Sequence, residues 1–357
     1  MNKKIFLILF FVFIWTLDTG YLTLVYAQET NQQEIKEQVT IQPAANENEV
    51  KLICIGDVCL DRRIAQSIEE YGSDYPFAGV AETFKWADII FANLECPVSA
   101  RGIGAKKQFV FRAKPKYVDV LKKAGITVTC LANNHMLDYG PVGLTDTVKN
   151  LDEAGIGHAG AGKNSDEAKQ PCIIEKNGLK IAFLSFYGFA SIPGQFLCSS
   201  PCVARPDFNF EQEIKNAKQN ADIVVVSFHW GAELSDTPSV TQQKLAHRAV
   251  RGGADVVIGH HPHTLQGVER YNGKLIFYSV GNFLFTSPTP KTNDTIIVKL
   301  TLAKNGVTDH NIIPVRIDGV RPRIADENES GRIMARLEKL SEGLTELAAD
   351  KVLPLIK

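Results

Sequence analysis

The chain has 357 residues, 45% of them apolar and 22% charged, with a formal net charge of −1. That is ordinary globular composition, long enough for a large buried core and unlike the polar, charge-rich balance of a disordered chain. A near-neutral body offers no basic face to a phosphate backbone, which argues against nucleic acid or an anionic lipid surface as a partner.

At the N-terminus, Lys3-Lys4 precedes an apolar run over 5–15, and Val25-Tyr26-Ala27 offers small residues where a signal peptidase cuts. Residues 1–27 are expected to be a signal peptide, or an uncleaved N-terminal anchor; either places the rest outside the cytoplasm. Residues 28–49, rich in Gln, Asn and Glu, read as a disordered linker. Seven cysteines leave an odd thiol, and Cys198 with Cys202, flanking Ser-Ser-Pro, is the expected disulfide.

The folded part starts at Val50 with a β-branched run over 51–56. Helices are expected over 61–71 and 80–86, a strand over 88–92, a short strand over 108–112 and a helix opened by Pro115. A strand over 127–132 and a helix over 142–154, stopped by Gly155, come next. Asn177-Gly178 marks one hairpin and Asn272-Gly273 a second. Between them, 188–206 reads as a loop near the site, and helices over 210–219 and 240–251 lead into strands over 224–228 and 256–260. Two closing strands turn at Asn305-Gly306, and an amphipathic helix spans 331–348. Early β/α alternation followed by hairpins predicts two packed sheets flanked by helices.

Five of these strands end in residues with chemistry. They deliver Asp57; Asn93 and Glu95; Asn133, Asn134, His135 and Asp138; His229; and His261-Pro262-His263. Ligands bind at the carboxyl ends of strands in α/β sheets. If 261–263 is extended, both imidazoles point one way and can share one cation of the Zn, Mn or Fe kind. Each residue alone admits a plainer reading: a helix cap for Asp57, a turn cap for Asn134, solvated loop positions for Glu95 and the histidines. Together they form a mixed N/O set large enough for two divalent ions, with one carboxylate able to bridge. Lys106, Lys107, Arg112 and Arg205 fall in loops expected to rim the site, either as contacts for an anionic substrate or as ordinary solvated charge.

The ordered blocks Gly56-Asp57, Asn93-Leu94-Glu95, Asn133-Asn134-His135 with Asp138-Tyr139-Gly140, His229-Trp230-Gly231 with Glu233, His261-Pro262-His263 and Gly281-Asn282-Phe283 resemble the CapA family. These are bacterial capsule (poly-γ-glutamate) synthesis proteins, a branch of the calcineurin-like metallophosphoesterases. The resemblance implies an α/β fold, a four-layer metallophosphatase-like β-sandwich flanked by helices, over 50–325, with a C-terminal helical extension over 326–357. It implies one divalent ion (Mn, Fe or Zn) on Asp57 and His263, a second on Asn134, His229 and His261, and Glu95 as the bridge. His135 would be catalytic, oriented by Asp138, while Asn93, Glu233 and Asn282 would meet substrate. Two positions depart from the superfamily pattern: Cys59 stands in a histidine position and Glu95 in that of a bridging aspartate. The implied activity is metal-dependent hydrolysis of a phosphoester or of an anionic polymer, beside a membrane-bound capsule or polyglutamate synthase complex. The alternative is a non-catalytic, metal-containing accessory subunit of such a complex.

Overall fold

In the computed structural model of the chain, residues 48–189, 201–286 and 289–344 are described. The expected signal peptide, nearly all of the expected linker and the expected half-cystine Cys198 lie outside them. Cys202 is disulfide-bonded, and the other five described cysteines are free. No described helix is long and apolar enough to cross a membrane.

The elements run β1 (Val50–Val58), α1 (Arg62–Tyr71), α2 (Ala81–Phe84), β2 (Ile89–Leu94), α3 (Val118–Lys123), β3 (Val128–Cys130), α4 (Gly140–Ala154) and β4 (Gly157–Ala159). Then come β5 (Ala161–Gly162), α5 (Ser165–Ala168), β6 (Cys172–Lys176), β7 (Leu179–Tyr187), β8 (Cys202–Val203), α6 (Phe210–Asn220), β9 (Ile223–His229), α7 (Val240–Gly252) and β10 (Val256–His260). The chain closes through β11 (Val268–Tyr271), β12 (Lys274–Phe277), β13 (Asn282–Leu284), β14 (Asp294–Ala303), β15 (Gly306–Asp318), β16 (Arg321–Ile324) and α8 (Glu327–Ser341).

One sheet has the order β16-β15-β14-β1-β2-β3-β4, with β13 also paired to β1; the second runs β11-β12-β10-β9-β7-β6. Alternation along the strands divides the core. Leu52 and Cys54 of β1 face Ile181 and Phe183 of β7 across the gap between the sheets, with Phe91 and Phe183 stacked at 5.5 Å. Ile53 and Ile55 point the other way, toward α1, α3 and α4. Val224 and Val226 of β9 turn toward α6 and α7. The result is the expected four-layer α/β/β/α sandwich. Both Asn-Gly hairpins form, with Asn177, Gly178, Asn272 and Gly273 all at positive φ.

Two local expectations are corrected. Residues 108–112 form no strand, because the Phe111 amide donates to the Asp138 side chain and the Arg112 amide to Asp61. The last helix begins at Glu327, where an Asp326/Glu329 capping box starts it, and it ends at Ser341. That helix packs on its own domain, with Ile333 and Leu337 fully buried in the core cluster.

Close approach of β13 to β1 depends on Gly56. A Cβ there would sit 1.9 Å from the Gly281 carbonyl oxygen, a backbone atom that cannot give way. Gly56→Ala is therefore expected to lower stability by about 2 kcal/mol or more in denaturant melts, as overpacking that moves backbone does. A loss below about 0.5 kcal/mol would contradict the tight β1–β13 contact.

Candidate metal centre

Parallel strands of both sheets end on the same side, and their terminal residues meet there. Asp57, at the end of β1, is buried and does not cap α1; Asp61 does that. Asn93 lies at the hub. Its Nδ2 donates to Asp57 Oδ1 at 2.8 Å and faces His229 Nδ1 at 3.2 Å, while its Oδ1 accepts from Asn133 Nδ2 at 3.2 Å.

Glu95 Oε1 is surrounded by imidazoles. His229 Nε2 is 3.5 Å away, His263 Nε2 3.7 Å and His135 Nε2 4.0 Å. His263 Nδ1 lies 3.2 Å from Asp57 Oδ2 and 2.8 Å from Asn282 Oδ1. His229 Nε2 is 2.7 Å from Asn134 Oδ1, so two expected ligands of one ion already face each other. The ring of His261 lies 4.7 Å from that of His229 and 5.7 Å from that of His263. His135 Nδ1 sits 2.8 Å from Asp138 Oδ2, with Phe111 against the imidazole face.

Two sets of donors lie close enough to share an ion: Glu95 with His261 and His263, and Asp57 with Glu95 and His229. Glu95 belongs to both, as a bridging group would. His261 stands between the two sets, its ring nearer to that of His229 than to that of His263. Two expectations change. Residues 261–263 are not extended: His261 and His263 have φ of 93° and 56°, a left-handed path that aims both rings inward at a cost of order 1–3 kcal/mol each. Asn93 and Asn282 are fully buried and engaged with Asp57, His229 and His263, so they orient ligands rather than meet substrate. Glu233 is exposed, outside the cluster, although its charge reaches Glu95.

Sequence reasoning missed His260, which is buried with Nδ1 3.4 Å from Asp57 Oδ1. Its place inside a β-branched strand disguised it as core filler. Cys59 holds no cluster position; burial pushes its thiol well up, with Cys96 as hydrogen-bond neighbour, and a neutral thiol is not a ligand.

The donor set fits divalent cations. Glu95 Oε1 and His261 Nδ1 are buried without a hydrogen-bond partner among the described residues. Buried polar atoms of that kind need a counterpart. Burial opposes ionisation of Asp57, but hydrogen bonds and charge from His260 and His263 outweigh it and hold its carboxyl well below the usual range. Burial, reinforced by Asp57, pushes Glu95 well up. Burial keeps His229 and His261 neutral, the form that ligates metal, with His261 down at about 3. At His263 burial is overcome by the Glu95 and Asp57 carboxylates, which draw it up to about 10. Without a cation the cluster holds protons in its place, so metal uptake must release them.

Residues 51–287 match the family described as bacterial capsule synthesis protein PGA_cap. The chain belongs to this family. It is 35% identical over 305 residues to a protein named capsule biosynthesis protein CapA from Bacillus anthracis, covering 82% of this chain and 74% of that one. To the PGA biosynthesis protein CapA of Bacillus subtilis it is 36% identical over 276 residues, covering 75% and 72%. Among solved structures, a putative 5'-nucleotidase from Staphylococcus aureus in complex with alpha-ketoglutarate aligns with a TM-score of 0.49 and 15% identity, over 82% of this chain and 58% of that one.

Every candidate ligand of this capsule-family chain lies inside the matched span, yet one support lies beyond it. Arg336 of α8 donates to Thr264 Oγ1 at 2.7 Å and to Asp236 Oδ1 at 3.0 Å, pinning the residue after His263 to the loop that carries Glu233.

A pH profile follows for the chelated protein. His261, lowered from 6.5 to about 3, contributes stability that is complete above pH 6.5 and fades as pH falls toward 3. His263, raised from 6.5 to about 10, contributes below pH 6.5 and fades as pH rises to 10. The Tm with chelator present is expected to peak near pH 6.5, and added Mn²⁺ or Zn²⁺, displacing the His263 proton, to abolish the alkaline fall. Identical profiles with and without metal would contradict this assignment.

Proposed function

We propose that this protein is an extracytoplasmic metal-dependent hydrolase of capsule or poly-γ-glutamate biosynthesis, with a phosphoesterase-like site for two divalent ions of the Mn, Fe or Zn kind. The observation that carries the reading is Glu95 Oε1, buried without a hydrogen-bond partner and ringed by the Nε2 atoms of His135, His229 and His263. The names of its relatives support the biosynthetic context and a place outside the cytoplasm.

Asp57, Glu95, Asn134, His229, His261 and His263 would hold the ions, with Glu95 shared. When bound, the cations would supply Lewis-acid neutralisation of charge at the reacting centre. The remaining work falls to the chain. Asp138 accepts from His135 Nδ1 and orients the ring, so that Nε2 faces the cluster; once the ring is protonated at both nitrogens, Nε2 can pass that proton to the departing oxygen, returning the ring to its neutral form. Asn93 and Asn282 keep Asp57 and His263 in register. Phe189 and Phe285, packed edge-on or tilted against His261 and His263, keep water from the flanks of the ligand rings.

Purified protein loaded with Mn²⁺ or Zn²⁺ is expected to cleave a phosphomonoester or phosphodiester. His135→Ala should lower kcat by about 10²–10⁴ with metal content unchanged, the usual contribution of a general acid. Full metal content without turnover of phosphoesters or of a γ-glutamyl polymer would sink the hydrolase reading in favour of the accessory one.

A further inference from the structure

Four cations were expected around the site, and the structure separates them. Lys106 is exposed. The Arg112 guanidinium lies over the Tyr139 ring at 4.1 Å, and Arg205 donates to the Phe189 carbonyl at 3.1 Å. Lys107 reaches the side chains assigned to catalysis. Its Nζ is 2.5 Å from Asp138 Oδ1 and 2.8 Å from the Asn134 carbonyl oxygen.

His135 Nδ1 lies 3.4 Å from the same Nζ but gives it no acceptor. That nitrogen faces Asp138 Oδ2 at 2.8 Å, and an ionised carboxylate only accepts, so Nδ1 carries the hydrogen. An ammonium has three donors. One is given to the Asn134 carbonyl and the ammonium is ion-paired with Asp138 Oδ1, while the side chain is still 26% exposed and open to a further acceptor from solvent. The loop that carries Lys107 is fastened on both sides of it. The Ala105 amide donates to the Asp138 carbonyl at 2.7 Å and the Phe111 amide to Asp138 Oδ2 at 2.7 Å. Gly102, at φ +93°, lies so near that a Cβ would be 2.2 Å from the Tyr139 carbonyl oxygen. A mobile surface lysine needs no such anchorage.

We propose that Lys107 is a binding residue for an anionic oxygen of the substrate, phosphoryl or carboxylate, and holds a fixed positive charge beside His135. This rests on the hydrolytic reading above and deepens it: the site selects substrates with an anion next to the bond that breaks. Fixed donors aimed at such oxygens stabilise charge more than solvated ones do.

The test is calorimetric titration of metal-loaded full-length protein with inorganic phosphate and, in parallel, with a γ-glutamyl oligomer; whichever binds names the anion class. Lys107→Met removes the charge at similar length and is expected to weaken that binding about tenfold or more, the worth of one charge-assisted hydrogen bond. Because this change also strands Asp138 Oδ1, K107M/D138N is compared with D138N alone. A lysine that contacts the anion leaves about a tenfold gap between those two as well; a lysine that serves only Asp138 leaves none, which overturns the proposal. Equal binding by wild type and K107M, or no binding of either anion by wild type, overturns it too. Metal content on the same samples reports separately on the metal centre: a chain without metal that still binds the anion through Lys107 sinks the hydrolytic reading and keeps this one.

Discussion

Asp57 and Glu95 sit at the carboxyl ends of neighbouring parallel strands, both closed off from solvent, with the Asn93 amide reaching 2.8 Å to one and 3.5 Å to the other. Two anions cannot stay buried so close together without positive charge or protons, because desolvation penalises each and each repels the other. The surrounding imidazoles supply that compensation in one of two ways. Either they hold protons, as the raised His263 does, or they stand neutral around cations, as the lowered His229 and His261 are prepared to do. On the proposed reading, the site is an exchange between these two fillings.

The rest of the sandwich keeps this arrangement from relaxing. Gly56 admits β13 against β1, which brings Asn282 level with Asp57 in the ladder and within 2.8 Å of His263. Gly259 does the same for β10: a Cβ there would lie 2.0 Å from the Tyr278 carbonyl oxygen. The left-handed backbone at His261 and His263 persists because its surroundings hold it, including Arg336 on Thr264. A helix far along the chain thus steadies the loop that carries His261 and His263 through one side chain.

Much of this was legible in the sequence, and the reasons are physical. A β-branched run that stops at Asp, Asn or His announces a buried strand with a polar end, and the ends of β1, β2, β3 and β9 read correctly for that reason. Two Asn-Gly pairs announced two hairpins because only such residues adopt positive φ cheaply in succession. What stayed hidden was set by distant packing. The path of residues 261–263 follows from long-range restraint, so local preference for an extended segment misled. Residues 108–112 look strand-like, yet their amides serve Asp138 and Asp61, which lie far off in sequence. His260 was masked by its apolar neighbours, and Lys107 looked like any of four loop cations until its acceptors were in view.

The central claim is that Glu95 is shared by two cations, and native mass spectrometry of the metal-loaded chain measures it most directly. Wild type is predicted to carry two divalent ions, and Glu95→Ala at most one, with the fold retained by circular dichroism because the variant removes a buried charge along with its ligand. The same ion count in both proteins, or no ion in either, would contradict the account.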